Sequence, residues 1–119
     1  MKDVPVNTKT IDRAHWKTFF DLFSQVYVNP GGESQRRAVA DLSIELADGK
    51  RLRQVDHVPL IGMSYDTRSD VLDVAVERLD HLIYHPREIR VEEDEECRIR
   101  SMQILDEDGS LQRIRVEYD

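Results

Sequence analysis

The hydrophobic residues of this chain change their period once along the sequence, and that change narrows the folds open to it. Between residues 13 and 27 the aromatic residues recur at intervals of three and four, so they form one stripe along an α-helix. This stripe consists of Trp16, Phe19, Phe20, Phe23 and Tyr27. Beyond residue 37 apolar and polar residues alternate in short runs, as in half-buried β-strands. The pattern predicts one amphipathic N-terminal helix followed by a β-sheet.

The helix is bounded by residues that favour helix termini. Asp12 is a favourable N-cap residue, and Ile11 and Trp16 have the spacing of a hydrophobic staple. The run Asn-Pro-Gly-Gly at 29–32 is expected to stop the helix. Residues 1–9 show no periodicity and are predicted to form a loose N-terminal arm.

Three hairpins follow from the requirement that paired strands turn their apolar residues to the same face. The apolar residues around Gly49 share a face only if the loop has an odd number of residues, and a three-residue loop with Gly49 in the left-handed conformation meets this condition. The same reasoning gives a three-residue loop at Gly109. The middle hairpin needs an even loop, which residues 67–70 supply. Its apolar residues are Ile61, Met63 and Tyr65 on one strand and Leu72, Val74 and Val76 on the next.

A further short strand around Ile89 and Val91 brings the expected number to about six or seven. Turns are frequent and connections short, which favours an antiparallel meander. The predicted fold class is α+β, with the N-terminal amphipathic helix packed on an antiparallel, meander-like sheet. A strongly curled, barrel-like sheet is the alternative. The length of 119 residues predicts a single domain, 1–119.

Charge and cysteine content limit the partners and the compartment. The chain has 24 acidic and 17 basic residues, a net charge of −7, which repels phosphate backbones and anionic lipids. We therefore expect neither a nucleic-acid nor a membrane partner. Cys97 is the only cysteine, and an oxidising compartment rarely leaves one thiol unpaired. With no secretory signal visible at the N-terminus, the expected location is the cytoplasm.

Several runs of residues resemble one known family. They are Pro-Leu-Ile-Gly-Met-Ser-Tyr-Asp at 59–66, Asp-Val-Leu-Asp-Val-Ala-Val at 70–76 and Leu-Asp-His-Leu-Ile-Tyr-His-Pro-Arg-Glu-Ile at 79–89. Together with Trp-Lys-Thr-Phe-Phe at 16–20 and Asp-Glu-Asp-Gly at 106–109, they resemble a family of short bacterial proteins classed as a domain of unknown function. The resemblance implies a bacterial, cytoplasmic protein, and it implies no activity.

The segment around two histidines gives the candidate site. His81 and His85 would share one face if the segment were helical, a spacing that can bind a transition metal. The glutamate of a zinc-protease motif is missing between them, so no metal site is assigned. Tyr65 and Asp73 complete the set of candidate ligand-binding residues. No catalytic residue and no cofactor is assigned.

The alternative for this segment is structural. It is a short connector over 77–86 that covers the sheet with Leu79, Leu82 and Ile83, while its histidines cap backbone carbonyls or face solvent. Two other features are interpreted in the same way. The acidic run 92–96 is expected to be a solvated turn and Cys97 an ordinary strand cysteine. A nucleic-acid site would require a positive patch formed by Arg98, Arg100, Arg113 and Arg115.

Two functions are compatible with these residues. The first is a non-catalytic binding or protein-interaction domain, whose partner is another protein or a second copy. A homodimer would bury a sheet edge or a second sheet face bearing Val39, Ile99, Leu105 and Leu111. The second is a small metal- or ligand-dependent enzyme centred on His81 and His85, which requires these side chains to converge.

Overall fold

In the computed structural model, which describes residues 7–28 and 38–118, one helical segment is combined with one antiparallel sheet. Within these residues the strands are β1 (Asn7–Ile11), β2 (Ala38–Glu45), β3 (Arg51–Asp66), β4 (Val71–Val76), β5 (Leu79–Tyr84), β6 (Pro86–Glu93), β7 (Ile99–Asp106) and β8 (Leu111–Tyr118). The predicted α+β fold with a meander-like sheet is confirmed, with eight strands instead of six or seven.

The helical segment lies where the aromatic stripe places it, but it is not uniform. A 3₁₀ turn (Arg13–His15) leads into α1 (Trp16–Phe23), and a π-helical turn (Ser24–Val28) follows. Trp16 and two phenylalanines of α1 are buried. Asp12 makes no side-chain capping bond; the start of the helix is held instead by Trp16 Nε1, which donates to the Ile11 carbonyl at 2.8 Å. The Tyr27 side chain and the predicted stop at 29–32 lie outside the described residues.

The sheet curls until its two ends approach each other. Its strand order is β1-β6-β7-β8-β2-β3-β4-β5, so β5 and β6 lie far apart in that order although His85 alone connects them. The long strand β3 bends between the two halves, pairing with β2 up to Pro59 and with β4 from Leu60. The side chains of His81 on β5 and Gln112 on β8 meet across the interior, 2.9 Å apart. The structure thus combines the meander with the curvature of the barrel-like alternative.

One hydrophobic core fills the space between the two halves of the curled sheet. Its fully buried residues include Leu42, Leu72, Val74, Ile83, Ile89, Val91, Met102, Ile104, Ile114 and Val116. The helix closes the remaining side, where the Trp16 ring meets the Tyr65 ring edge to face at a centroid distance of 5.2 Å. The edge of β3 beyond Pro59 is covered as well, because Ser24 Oγ hydrogen-bonds both the N–H and the carbonyl of Met63.

The loop lengths predicted from strand parity are confirmed. Three residues separate the paired ends of β2 and β3 and of β7 and β8, and four separate β3 from β4. Gly49 and Gly109 have φ of +94° and +82°, the left-handed conformation expected of them. The β6–β7 hairpin uses the same three-residue loop, but there Cys97 occupies the left-handed position, with φ +63°.

Two segments form a secondary structure that differs from the one predicted. Residues 7–9, assigned to a loose arm, form the first part of β1, which pairs with β6; residues 1–6 lie outside the described part of the chain. Residues 79–84 form β5 and not a helical turn or a connector, so the helical arrangement of His81 and His85 is wrong.

Individual apolar residues also depart from their expected faces. Leu79 and Leu82, expected to cover the sheet, are 37% and 39% exposed. Ile61 is 53% exposed, because a bulge between Leu60 and Gly62 turns it away from the core. Val39 and Ile99 were expected on an exposed second face of the sheet, and both are buried. No helix among the described residues is long and apolar enough to cross a membrane.

Candidate functional site

The four residues predicted to bind a ligand occupy three separate places in the fold. Tyr65 and His85 meet at one end of the sheet, where both contact Asp70. His81 pairs with the residue that follows Asp73 along β4, so the two side chains point to opposite faces of the sheet. The four side chains therefore do not line one common pocket.

The first of these places is a polar group of five side chains that we name the Asp70 cluster. Tyr65 Oη donates to Asp70 Oδ1 at 2.5 Å, and His85 Nδ1 lies 3.2 Å from Asp70 Oδ2. Arg13 Nη1 is 3.4 Å from Asp70 Oδ1, and Glu107 Oε2 is 3.7 Å from His85 Nε2. Both carboxylate oxygens of Asp70 are therefore occupied by partners from this chain.

Backbone conformation and backbone hydrogen bonds also hold the Asp70 cluster in place. Asp70 ends the β3–β4 loop and His85 joins β5 to β6; both are left-handed, and His85 N–H donates to the Asp70 carbonyl at 2.8 Å. Arg13 stacks on the Trp16 ring at 4.3 Å and donates through Nη2 to the Pro86 carbonyl. The cluster thus fastens the start of the helix to a loop and to the link between the two sheet halves.

The protonation states in the Asp70 cluster favour a structural role over a catalytic one. Burial raises the pKa of Tyr65, and its hydrogen bond to Asp70 raises it further. The hydrogen bond from Tyr65 lowers the pKa of Asp70 despite burial, and His85 and Arg13 add to this effect. At neutral pH the phenol is therefore a donor and Asp70 an ionised acceptor whose oxygens are already engaged.

Asp73 belongs to a second place, where it faces another carboxyl group. The carboxyl group of Asp73 on β4 interacts with the carboxyl group of Asp80 on β5. Burial, and then the neighbouring Asp80 carboxyl, raise the pKa of Asp73 to about 6. Among the described residues Asp73 Oδ1 is buried without a hydrogen-bond partner. Asp73 also lines a groove of about 350 Å³ with Asp21, Ser24, Gly62, Met63, Ser64 and Ala75.

His81 forms the third place, a buried chain of polar side chains. Its Nε2 lies 2.9 Å from Gln112 Oε1, and Gln112 Nε2 donates to Asp106 Oδ2 at 3.1 Å. Asp106 Oδ1 accepts from two backbone N–H groups of the β7–β8 loop. His81 is thus used to join β5 to β8. The described residues contain no group of three histidine, cysteine or acidic side chains placed to hold a metal ion.

The acidic run 92–96 contains a buried carboxylate that sequence reasoning missed. Asp94, expected in a solvated turn, has a side chain only 3% exposed. Its Oδ1 accepts from the N–H groups of Glu96 and Arg98, and its Oδ2 lies 2.7 Å from Arg100 Nε. Burial alone would raise its pKa, but these hydrogen bonds and the charge of Arg98 outweigh burial and lower the pKa to about 2.

This arrangement also changes the interpretation of the arginines. Arg98 and Arg100 both form ion pairs with Asp94, and both lie over the Tyr118 ring. Arg113 and Arg115 form no ion pair within 7–28 and 38–118 and lie on the outer face of β8. Two of the four arginines proposed as a positive patch are therefore already neutralised.

The exposed Cys97 borders a shallow apolar groove beside the helix. The groove has a volume of about 210 Å³, and it is lined by Phe19, Leu22, Phe23, Val26, Glu93, Cys97 and Ile99. Leu22 and Val26 are more than half exposed there. The position of Cys97 is set by the hairpin loop, in which it adopts the left-handed conformation.

The strand β5 exposes backbone bonding groups at one end of the sheet. This strand ends the sheet and pairs with β4 alone, in an uninterrupted register. Its side chains Leu79, Leu82 and Tyr84 are 37%, 39% and 57% exposed. Within the part of the chain that the structure describes, no backbone hydrogen bond reaches the other side of β5. We name this side the β5 edge.

The orientation of the β5 backbone follows from two separate hydrogen bonds. His85 N–H points to β4, where it bonds the Asp70 carbonyl, so the Tyr84 carbonyl points away from β4. Met63 turns its polar groups to Ser24, so Val74, opposite Met63, turns its own groups to β5. Both observations agree on which residues face outward. The β5 edge presents the N–H and carbonyl groups of Asp80, Leu82 and Tyr84.

Comparison with known proteins places the chain in a family without assigning an activity. An uncharacterized protein of Aquifex aeolicus (strain VF5) is 36% identical over 111 residues, which cover 92% of this chain and 92% of that protein. No solved structure gives a significant match. Residues 7–118, which span the whole described region, match the model of a family of unknown function. The chain therefore belongs to the family of unknown function DUF5335.

Proposed function

We propose that this protein is a non-catalytic protein-interaction domain of the bacterial cytoplasm, which binds an extended strand of a protein along the β5 edge. The observation that carries the proposal is a row of three residues, Asp80, Leu82 and Tyr84, whose backbone N–H and carbonyl groups have no partner within the described residues and lie beside exposed apolar side chains. Strand addition to such an edge gains affinity from main-chain hydrogen bonds and specificity from alternate side chains.

The other strand edges carry features that discourage pairing, and β5 carries fewer. At the opposite end of the sheet, β1 is short and polar, and Lys9 projects from it. The free side of β3 beyond Pro59 is covered at Met63 by Ser24, and the part of β3 before Pro59 is interrupted by two irregularities in its pairing with β2. β5 has neither lysine nor proline and no bulge, and its one charged residue, Asp80, is engaged with Asp73. An open edge of this kind is a site for strand addition.

The polar side chains support a binding domain over the alternative of an enzyme centred on His81 and His85. Each histidine has its own partner, Gln112 for His81 and Asp70 for His85, and Tyr65 uses its hydroxyl on Asp70. The cytoplasmic location is supported by the lone cysteine, and the bacterial origin by the relative in Aquifex aeolicus.

The test uses a defined strand as the probe. A peptide of alternating valine and threonine with a lysine at each end is added to the full chain at a low protein concentration, and amide hydrogen exchange is followed by NMR. We expect slower exchange at Asp80, Leu82 and Tyr84, and no change at Thr8 or Thr10 of β1. A control peptide N-methylated on the residues that would face β5 lacks the donors and should give no protection. Unchanged exchange on β5 at millimolar peptide would refute the proposal.

A further inference from the structure

We infer that the strand bound by the β5 edge is β5 of a second copy of this chain, in an antiparallel pair whose two-fold axis passes through Leu82. This inference rests on the proposed function and names its partner. Three outward residues of β5 are spaced evenly, and the sequence around them allows β5 to pair with itself.

The register follows from the groups that face outward. In an antiparallel pair the outward residues of both strands must lie opposite one another to exchange two hydrogen bonds. With the axis at Leu82, Leu82 faces Leu82 of the second copy, and Asp80 faces Tyr84 in both directions. All three outward residues are then used, which gives six backbone hydrogen bonds.

Other registers make fewer bonds or worse contacts. Moving the axis to His81 or Ile83 leaves four bonds between residues of the two strands, because Asp80 or Tyr84 then faces a residue beyond the strand. An axis at Asp80 places two carboxyl groups opposite each other, which is destabilising. An axis at Tyr84 brings Leu82 against Pro86, which has no N–H to donate.

Side chains complement each other in the Leu82 register. On the outer face the Tyr84 hydroxyl of one copy can donate to the Asp80 carboxyl of the other. The two Asp80 carboxyls lie four residues apart along the paired strands, about 13 Å, which limits their repulsion. The exposed Leu82 side chains pack against each other on the axis. An edge contact of this size is small, so we expect micromolar and not nanomolar association.

The test is a cysteine placed on the predicted axis. In a background in which Cys97→Ser removes the natural thiol, Leu82→Cys is oxidised at high protein concentration and analysed by non-reducing electrophoresis and mass spectrometry. Facing residues of a hydrogen-bonded pair have Cα atoms about 5.5 Å apart, within disulfide range. We expect a product of twice the 13.9 kDa chain mass. The matched control Tyr84→Cys, about 13 Å from its own copy, should stay monomeric.

A second measurement needs no substitution on β5. Amide exchange at Asp80, Leu82 and Tyr84 in the unmodified chain should slow as concentration rises, because dimer formation covers these N–H groups. Exchange independent of concentration, or cross-linking that is equal at positions 82 and 84 or stronger at 84, would overturn the inference. If β5 stays unprotected in the chain alone but is protected by the valine–threonine peptide, the edge binds a different protein and the proposed function survives. If neither protects it, both fail.

Discussion

Replacing Asp94 by asparagine tests the electrostatic reasoning most directly, because Asp94 combines burial with several donors. Its side chain is 3% exposed and accepts from two loop N–H groups, while Arg98 and Arg100 lie at 3.3 Å and 2.7 Å. Asp94→Asn keeps the shape of the side chain but removes its charge. The loop then loses the ionised acceptor that organises the β6–β7 hairpin, and both arginines lose their ion pair with Asp94, while Arg98 keeps its ion pair with Glu96.

The magnitude follows from the pKa of Asp94. A folded-state value of about 2 against an ordinary value of 3.8 corresponds to about 2.4 kcal/mol, which screening around the partly exposed arginines reduces to about 2 kcal/mol. Because the folded pKa is lowered, this stabilisation is present above about pH 4 and is lost as the pH falls towards 2. We expect Asp94→Asn to unfold about 2 kcal/mol more easily at pH 7, with the difference shrinking below pH 4.

Urea denaturation followed by circular dichroism at pH 7, 5, 4, 3 and 2.5 measures the free energy of unfolding of both proteins. Asp108→Asn is the matched control, because Asp108 is exposed in the equivalent three-residue loop of the next hairpin. We expect that control to stay within about 0.5 kcal/mol of the unmodified chain at each pH. A difference for Asp94→Asn that is absent at pH 7, or that stays constant down to pH 2.5, would refute the argument.

Three further substitutions test other parts of the structure. Cys97→Gly should raise the free energy of unfolding by about 1 kcal/mol in urea titrations, because glycine adopts the left-handed conformation at no steric cost. Tyr65→Phe should cost about 1 kcal/mol and raise the pKa of Asp70, measured by NMR titration of its carboxyl carbon, because the hydroxyl no longer donates. Asp80→Asn should stabilise the chain by about 1 kcal/mol at pH 8 but not at pH 4, because the raised pKa of Asp73 makes its ionisation in the folded chain costly, and this cost builds up as the pH rises from about 4 to about 6.

Each of these predictions has a control or a contrary outcome. Gly109→Ala, which forces a side chain into φ +82°, should destabilise by an amount comparable to the gain from Cys97→Gly; a stable Gly109→Ala would contradict the conformational explanation. If the pKa of Asp70 is unchanged in Tyr65→Phe, the hydrogen bond from the phenol is not the main cause of its lowered pKa. For Asp80→Asn, an equal gain at both pH values would point to packing and not to charge.

The parts of the fold that strand periodicity controls could be predicted from the sequence. Parity fixed the loop lengths at Gly49, Gly109 and 67–70, since a shift by one residue would expose a whole apolar face. Parity assigns a residue to the wrong face where the pairing of two strands is interrupted, as it is at the bulge at Ile61. β1 was not predicted, because most of its side chains face solvent and its sequence therefore shows no alternation of apolar and polar residues.

The candidate site was predictable only in part. Tyr65 and His85 were identified and do meet, but Asp70, which joins them, appeared in the sequence only as a loop residue. His81 and His85 were placed on one face on the assumption of a helical turn, with Asp73 as a nearby candidate. The segment is a strand, and His81 lies opposite the residue that follows Asp73, so His81 and Asp73 point to opposite faces. The signal that could have identified Asp70 is its place at the end of the loop, where aspartate tolerates the left-handed conformation.

The way the sheet is connected has a consequence for how the chain is made. The strands β2–β3–β4–β5 and β6–β7–β8 pair neighbours in sequence, whereas β1 pairs with β6 about eighty residues later, and β2 pairs on its other side with the last strand, β8. During synthesis β1 therefore leaves the ribosome long before its partner exists, and β2 leaves it long before its second partner, β8, exists. The polar residues Thr8, Lys9 and Thr10 keep β1 soluble through that interval, while the apolar β2 is the segment that a chaperone would have to shield until the last eight strand residues emerge.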